Sequence, residues 1–168
     1  MEELTKRKTM RLPKADYNGT GAYFITICTK NRCCLLSRIV GTGVPDGPHV
    51  ELLPYGKIAE KYIKQLNKFY NHISVESYVI MPNHIHLLLF AKASDGPSRT
   101  PVPTVQNSVV SRFVSTFKRF CNKEYGENIW QYRSYDHIIR NRQDYDEHIQ
   151  YIYENPIRWY YDELYSET

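Results

Sequence analysis

Apolar positions along the chain change their period several times, and each change marks an element. From Ala22 to Thr29 the residues are mostly β-branched or aromatic, which predicts a buried strand. Val40 to Pro48 (VGTGVPDGP) is dense in Gly and Pro and reads as loop. Pro54 then opens a helix of period 3.6, with Tyr55, Ile58, Ala59, Tyr62, Leu66 and Phe69 on one face and Lys57, Lys61, Lys64 and Lys68 on the other. Ser74 to Ile80 reads as a second strand, broken by Met81-Pro82-Asn83. His84 to Phe90 (HIHLLLF) reads as a third, whose almost continuous apolar character implies cover on both faces.

Beyond a Pro/Ser-rich loop at 93–103, Thr104 or Asn107 is the expected cap of a second helix. Its buried stripe is Val110, Phe113, Phe117 and Phe120, and Tyr125-Gly126 ends it. Ile129 to Ile139 reads as a fourth strand, and Arg142 to Asn155 as a last helix stopped by Pro156. The order β, α, β, β, α, β, α contains no repeat. It predicts an α+β fold: a ferredoxin-like βαββαβ sandwich with an antiparallel sheet plus a C-terminal helix.

Length fits one domain over 1–168, with a basic arm at 1–14 and loops at 40–48 and 93–103. Hydrophobic residues make up 42% of the chain, enough for a packed core and against general disorder. The longest apolar run, Leu87 to Ala91, is far shorter than the roughly 20 residues of a membrane helix. The N-terminus shows no apolar stretch of the signal-peptide kind. Cys28, Cys33, Cys34 and Cys121 have neither disulfide-framework nor zinc spacing, so a reducing, cytoplasmic home with no membrane partner is the expected default.

Charge changes this picture only through its distribution. The net value is +4, yet residues 1–32 and 104–142 each carry seven basic against three acidic groups, while 143–168 carry one basic and seven acidic. An anionic partner would meet the first and third segments, and the acidic C-terminal segment would face away or sit near a cation. Solvated faces of an ordinary protein would show the same counts.

Two local patterns carry candidate chemistry. In Asn83-His84-Ile85-His86, strand alternation sends both imidazoles to one face, where they can share a metal ion. The same spacing also suits two hydrogen-bonded core histidines. On the last helix, Tyr151 and Asn155 lie one turn apart on one face, flanked by His148 and Glu154. Asn offers a carbonyl oxygen to a metal and Tyr a nucleophilic hydroxyl, although packing and capping would equally place them there.

Taken together these stretches resemble a family. Tyr78-Val-Ile-Met-Pro-Asn-His-Ile-His-Leu-Leu-Leu89 resembles the histidine-hydrophobic-histidine (HUH) motif of single-tyrosine transposases. Ile129-Trp-Gln with Asp136-His137-Ile-Ile-Arg-Asn141 looks like the family's second block. Asp144-Tyr145, Tyr151-Ile152 and Asn155-Pro156 look like the third, which carries the tyrosine. The most similar branch is the REP-associated tyrosine transposases, relatives of the small insertion-sequence transposases, and the resemblance runs from about Arg11 to Trp159.

The resemblance implies that His84 and His86 are metal ligands, that Asn155 supplies the third ligand, and that Tyr151 is the catalytic nucleophile. It implies a divalent cation, Mg²⁺ or Mn²⁺, and cleavage of single-stranded DNA at hairpin-forming palindromic repeats through a 5′-phosphotyrosine, followed by strand transfer. It also implies a bacterial, nucleoid-associated location. Lys8, Arg11, Arg112, Arg119, Lys123 and Arg140 are the expected DNA-binding residues. Tyr132-Arg133-Ser134-Tyr135 departs from the family pattern, which leaves the roles of those four residues open. Joining two cleaved ends is easier with two sites, which points to a homodimer. The alternative is a non-catalytic single-stranded nucleic-acid-binding protein of the same fold, in keeping with fifteen tyrosines. A small hydrolytic metalloenzyme is a third reading, but no acidic third ligand stands near the HxH motif and Tyr151 would have no task.

Overall fold

The computed structural model describes residues 20–41, 45, 47–92 and 108–167. Six strands and three helices follow one another: β1 (Gly21–Cys28), β2 (Ser37–Val40), β3 (His49–Leu52), α1 (Pro54–Phe69), β4 (Ile73–Ile80), β5 (His84–Ala91), α2 (Val109–Tyr125), β6 (Tyr135–Ile138) and α3 (Arg142–Glu154). Short 3₁₀ turns stand at Lys30–Arg32 and Trp159–Tyr161. The main sheet has the order β4-β5-β1-β6, and its neighbouring strands are antiparallel throughout. This is the α+β class with an antiparallel sheet and a C-terminal helix that the patterning predicts.

Alternation along β1 and β5 divides the interior into two cores. Tyr23, Ile25 and Ile27 of β1 and Ile85, Leu87 and Leu89 of β5 face α1 and α2, where they meet Ala59, Ile63, Leu66, Phe113 and Phe117. Phe24 and Leu88 point the other way, into a smaller cluster with Val79, Met81, Ile152 and Trp159. β5 is therefore covered on both faces, as its apolar run requires. His84 and His86 share parity with Leu88 and fall on the α3 side.

Several local expectations are corrected. Phe69 was expected on the buried face of α1 but is 81% exposed, and Ile63 takes the buried place. β2 and β3 form a separate two-stranded ribbon around the Gly/Pro loop, too short and mixed to stand out in the sequence. The cap of α2 is Ser108, whose side chain accepts from the Ser111 amide, while Thr104, Asn107 and the 93–103 loop lie outside the described residues. Gly126 ends α2 at φ 77°, a left-handed conformation that glycine adopts without strain.

The expected strand over 129–139 is reduced to β6, preceded by a lone bridge between Thr29 and Trp130. The cause is packing. Trp130 is buried against Phe117 and Tyr125, and the Lys118 ammonium donates to the carbonyls of Gln131 and Tyr132; Gln131 still donates its amide to the Cys28 carbonyl of β1, and residues 132–134 leave the sheet. That departure leaves Tyr132 96% exposed. Among the described residues no helix is long and apolar enough to cross a membrane. All four cysteines are free.

Candidate active site

The site grows from a loop that cannot slip. Between β4 and β5 the Met81 amide donates to the His84 carbonyl at 2.8 Å, and the carbonyls of Pro82 and Asn83 accept from Leu36 and Thr29. Asn83 is itself buried, and its Nδ2 donates to the Leu164 and Arg32 carbonyls. That fixes the amide so that its Oδ1 accepts from His84 Nδ1 at 2.8 Å. A proton on Nδ1 leaves the Nε2 lone pair of His84 free to bind a ligand. His86 Nδ1 shares a 2.8 Å hydrogen bond with Thr26 Oγ1 from the adjacent β1, opposite it in register.

Both imidazoles are nearly sealed, with His84 at 0% and His86 at 3% exposure. Burial disfavours the charged form, lowering His84 to about 4 against smaller opposing contributions from the Asp162 charge and the Asn155 amide. Burial also takes His86 well below its ordinary value, helped by His84 and His148. The pair is neutral at physiological pH, which is the state a metal ligand needs. Their ring centroids are 4.5 Å apart.

α3 brings the opposing groups. Asn141 caps its first turn by accepting from the Asp144 amide, and Ile152 is its one buried residue among those described. The flanks of Ile152 set Tyr151 and Asn155 against the histidines. The Tyr151 ring lies 5.2 Å from that of His86 and 6.0 Å from Phe24. Asn155 is 1% exposed. His84 Nε2, His86 Nε2 and Asn155 Oδ1 are buried with no hydrogen-bond partner among the described residues. Three unsatisfied buried polar atoms from two elements are costly without an occupant, and with the His86 hydrogen on Nδ1 toward Thr26 all three present lone pairs that fit a cation.

Sequence reasoning missed Asp162. It follows the last 3₁₀ turn, and its carboxylate lies with the two imidazole nitrogens in a group whose ligand atoms are all within 4.8 Å. Tyr151 Oη donates to Asp162 Oδ2 at 3.3 Å. Burial first, and then the Asp162 charge, raise the Tyr151 phenol above its ordinary value, while Asn155 lowers it. The signal available in advance was the acidic C-terminal segment, which the charge distribution placed either away from an anion or beside a cation. Tyr151 is 39% exposed at the floor of an open cleft of about 630 Å³. Arg32, Tyr135, Glu147 and His148 also line it.

The expected DNA-binding residues do not converge. Arg140 is exposed at the approach to α3, where its amide donates to Asp144. Arg112, Arg119 and Lys123 are exposed on α2, across the sheet from the histidines. Lys8 and Arg11 lie outside the described residues. Arg32 at the cleft was not singled out by the sequence. With Asn31 it adopts positive φ, at 55° and 53°.

No family model matches the chain. A Haemophilus influenzae protein described as uncharacterized is 30% identical, and the alignment covers 96% of this chain and 94% of that relative. An Escherichia coli protein named REP-associated tyrosine transposase is 31% identical over 84 residues, half of this chain and 44% of the relative. A solved structure described as a REP-associated tyrosine transposase bound to a REP hairpin superposes with a TM-score of 0.58. At 21% identity over 88% of this chain and 73% of the other, it shows a shared fold.

Proposed function

We propose that the chain, as a member of the REP-associated tyrosine transposase family that it matches in part of its length, is a metal-dependent endonuclease and strand transferase acting on single-stranded DNA that folds into hairpins. One observation carries the reading. Tyr151 and His86 line one cleft with their rings 5.2 Å apart, and His84 Nε2, His86 Nε2 and Asn155 Oδ1, from a strand and a helix end remote in sequence, are buried without a hydrogen-bond partner among the described residues. A non-catalytic binder has no use for that arrangement.

His84, His86 and Asn155, with Asp162 in reach, are the residues that would hold the cation. Mg²⁺ or Mn²⁺ bound there would offset charge on the scissile phosphate. Everything else falls to the chain. Phe24 and Trp159 pack against the imidazoles and keep water from them. Asp162 accepts the phenol hydrogen, which leaves the remaining lone pairs of Tyr151 Oη toward the open cleft. Attack by that oxygen on phosphorus forms the phosphotyrosine bond and breaks the bond to the 3′ oxygen. The phenol proton passes through Asp162 to the departing 3′ oxygen. Rejoining is the same exchange with a second 3′-hydroxyl, so the phosphoester energy is retained and no nucleotide triphosphate is consumed.

A single strand would enter past Arg32 and Tyr135, and the exposed Tyr132 offers an unpaired base a stacking surface worth about 1–3 kcal/mol. The test is a labelled single-stranded hairpin taken from repeats that flank the gene, incubated with the protein and Mn²⁺ or Mg²⁺. The expected product is a denaturation-resistant protein–DNA adduct, absent without metal and reduced at least about 10³-fold in Tyr151→Phe, which keeps hairpin binding. A metal-independent gel shift with no adduct would favour the non-catalytic binder. Adduct formation by Tyr151→Phe would remove that residue from the reaction.

A further inference from the structure

Behind Phe24 stands a second cluster that the proposed reaction does not use. His137 lies on β6, and Asp144 and His148 lie one turn apart on α3. His137 Nε2 is 3.0 and 2.9 Å from the two Asp144 carboxylate oxygens, and His148 Nδ1 is 3.1 Å from Oδ1. One ligand atom from each residue falls within 4.8 Å of the others. We propose that His137, Asp144 and His148 form a second metal site, which takes a borderline transition cation such as Zn²⁺ and pins α3 to β6.

The support is chemical and geometric. Two imidazoles and one carboxylate are a ligand set suited to Zn²⁺, Co²⁺ or Ni²⁺ and poor for Mg²⁺ or Ca²⁺. The two rings stack at 4.8 Å with planes 16° apart, so both present a nitrogen edge to the same carboxylate. The ligands are already held in place. His137 sits in strand register opposite Phe24, whose ring packs 4.5 Å from His148, and Asp144 accepts from the Arg140 amide at 2.9 Å. Without metal, His137 Nε2 donates to the Asp144 carboxylate, while His148 Nδ1 donates to the Asp144 backbone carbonyl at 2.8 Å and stands 3.1 Å from the carboxylate. On binding, each ring hydrogen moves to the outer nitrogen, Nδ1 of His137 and Nε2 of His148, through exchange with water, and no net proton is lost. The side chains are 41% (His137), 17% (Asp144) and 22% (His148) exposed, so water can complete the coordination.

Phe24 packs against both sets of imidazoles, stacking on His86 at 5.0 Å and meeting His148 at 4.5 Å, and His148 also lines the Tyr151 cleft. The proposal does not depend on the DNA chemistry above. Its consequence is mechanical, since a cation bridging β6 and α3 would stiffen the helix that carries Tyr151.

The experiment is a titration of the chelator-stripped full chain with Co²⁺ and then Zn²⁺, without DNA. Wild type should bind two equivalents, and His84→Ala/His86→Ala should keep one. Adding His137→Gln to that variant should weaken the remaining ion at least tenfold and abolish the rise in melting temperature that Zn²⁺ gives. Nitrogen NMR of wild type, which needs no variant to fold, should show the His137 and His148 ring nitrogens shifting as the second equivalent binds. Unshifted ring nitrogens at saturation would overturn the proposal, as would a single equivalent that disappears with His84 and His86. So would a thiolate charge-transfer band from Co²⁺, which would assign the second ion to Cys33 or Cys34.

Discussion

Keeping two histidines neutral and unsatisfied inside a protein costs stability, and the cost has a defined pH dependence. An unfolded histidine protonates near 6.5, whereas folded His84 resists to about 4 and His86 also lies well below the ordinary value. Between those limits the unfolded chain binds more protons than the folded one, so stability is lost as pH drops through that window and is unaffected above it. Chelator-treated protein should therefore show a urea midpoint that is flat from pH 8 to 7 and declines from about 6.5 toward 4. Replacing both residues by Gln should flatten the acidic limb. A midpoint that rose on acidification would mean the rings are charged in the fold. HxH parity was legible because strand alternation is strict. Asp162 was not, because eleven residues and a 3₁₀ turn separate it from Tyr151, and no periodicity bridges that distance.

At the level of elements, the site is held by two local devices of opposite kind. α2 is started by the Ser108 cap, and loss of that hydroxyl in Ser108→Ala should cost about 1 kcal/mol, read as a lower urea midpoint with an unchanged slope. α1 is held by an absence. A Cβ on Gly56 would fall on the Leu36 carbonyl oxygen, which also accepts from the Leu53 amide. Gly56→Ala must push α1 off the segment before β2 and should cost roughly 1–3 kcal/mol, at the upper end because the obstacle is backbone. Gly21→Ala, with nothing within 4 Å of the new methyl, is the control and should be nearly silent. Long periodic elements such as α1 and α2 were readable from pattern alone. The β2–β3 ribbon and the shortening of β6 were not, because a four-residue strand carries two repeats at most. The loss of residues 132–134 from the sheet depends on Lys118, whose ammonium burial lowers to about 8, and burial is a tertiary fact.

Across the whole molecule the sheet separates two surfaces. The cleft with Tyr151 opens on the α3 side, whereas Arg112, Arg119 and Lys123 lie on α2, one sheet layer of about 10 Å away and facing outward. Among the described residues none of these three cations forms an ion pair, while Lys61 and Lys64 on α1 are engaged by Glu124 and Glu60. A duplex stem lying along α2 would meet free positive charge there, and its single-stranded flank would turn over the β6 edge, past Tyr132 and Tyr135, to reach Arg32 and the cleft. On this layout grip and cutting are separable. Replacing Arg112, Arg119 and Lys123 together by Ala should weaken hairpin binding and reduce the slope of log affinity against log salt by about 3, one per lost phosphate contact. The rate of adduct formation at saturating DNA should stay within about twofold, because none of the three comes near Tyr151. Arg32→Ala should do the reverse, slowing the reaction at saturation with a slope change of about 1 at most. Should the triple variant lower the saturated rate while its salt slope holds, the stem does not lie on α2, and the basic stripe is a solvated face of the helix.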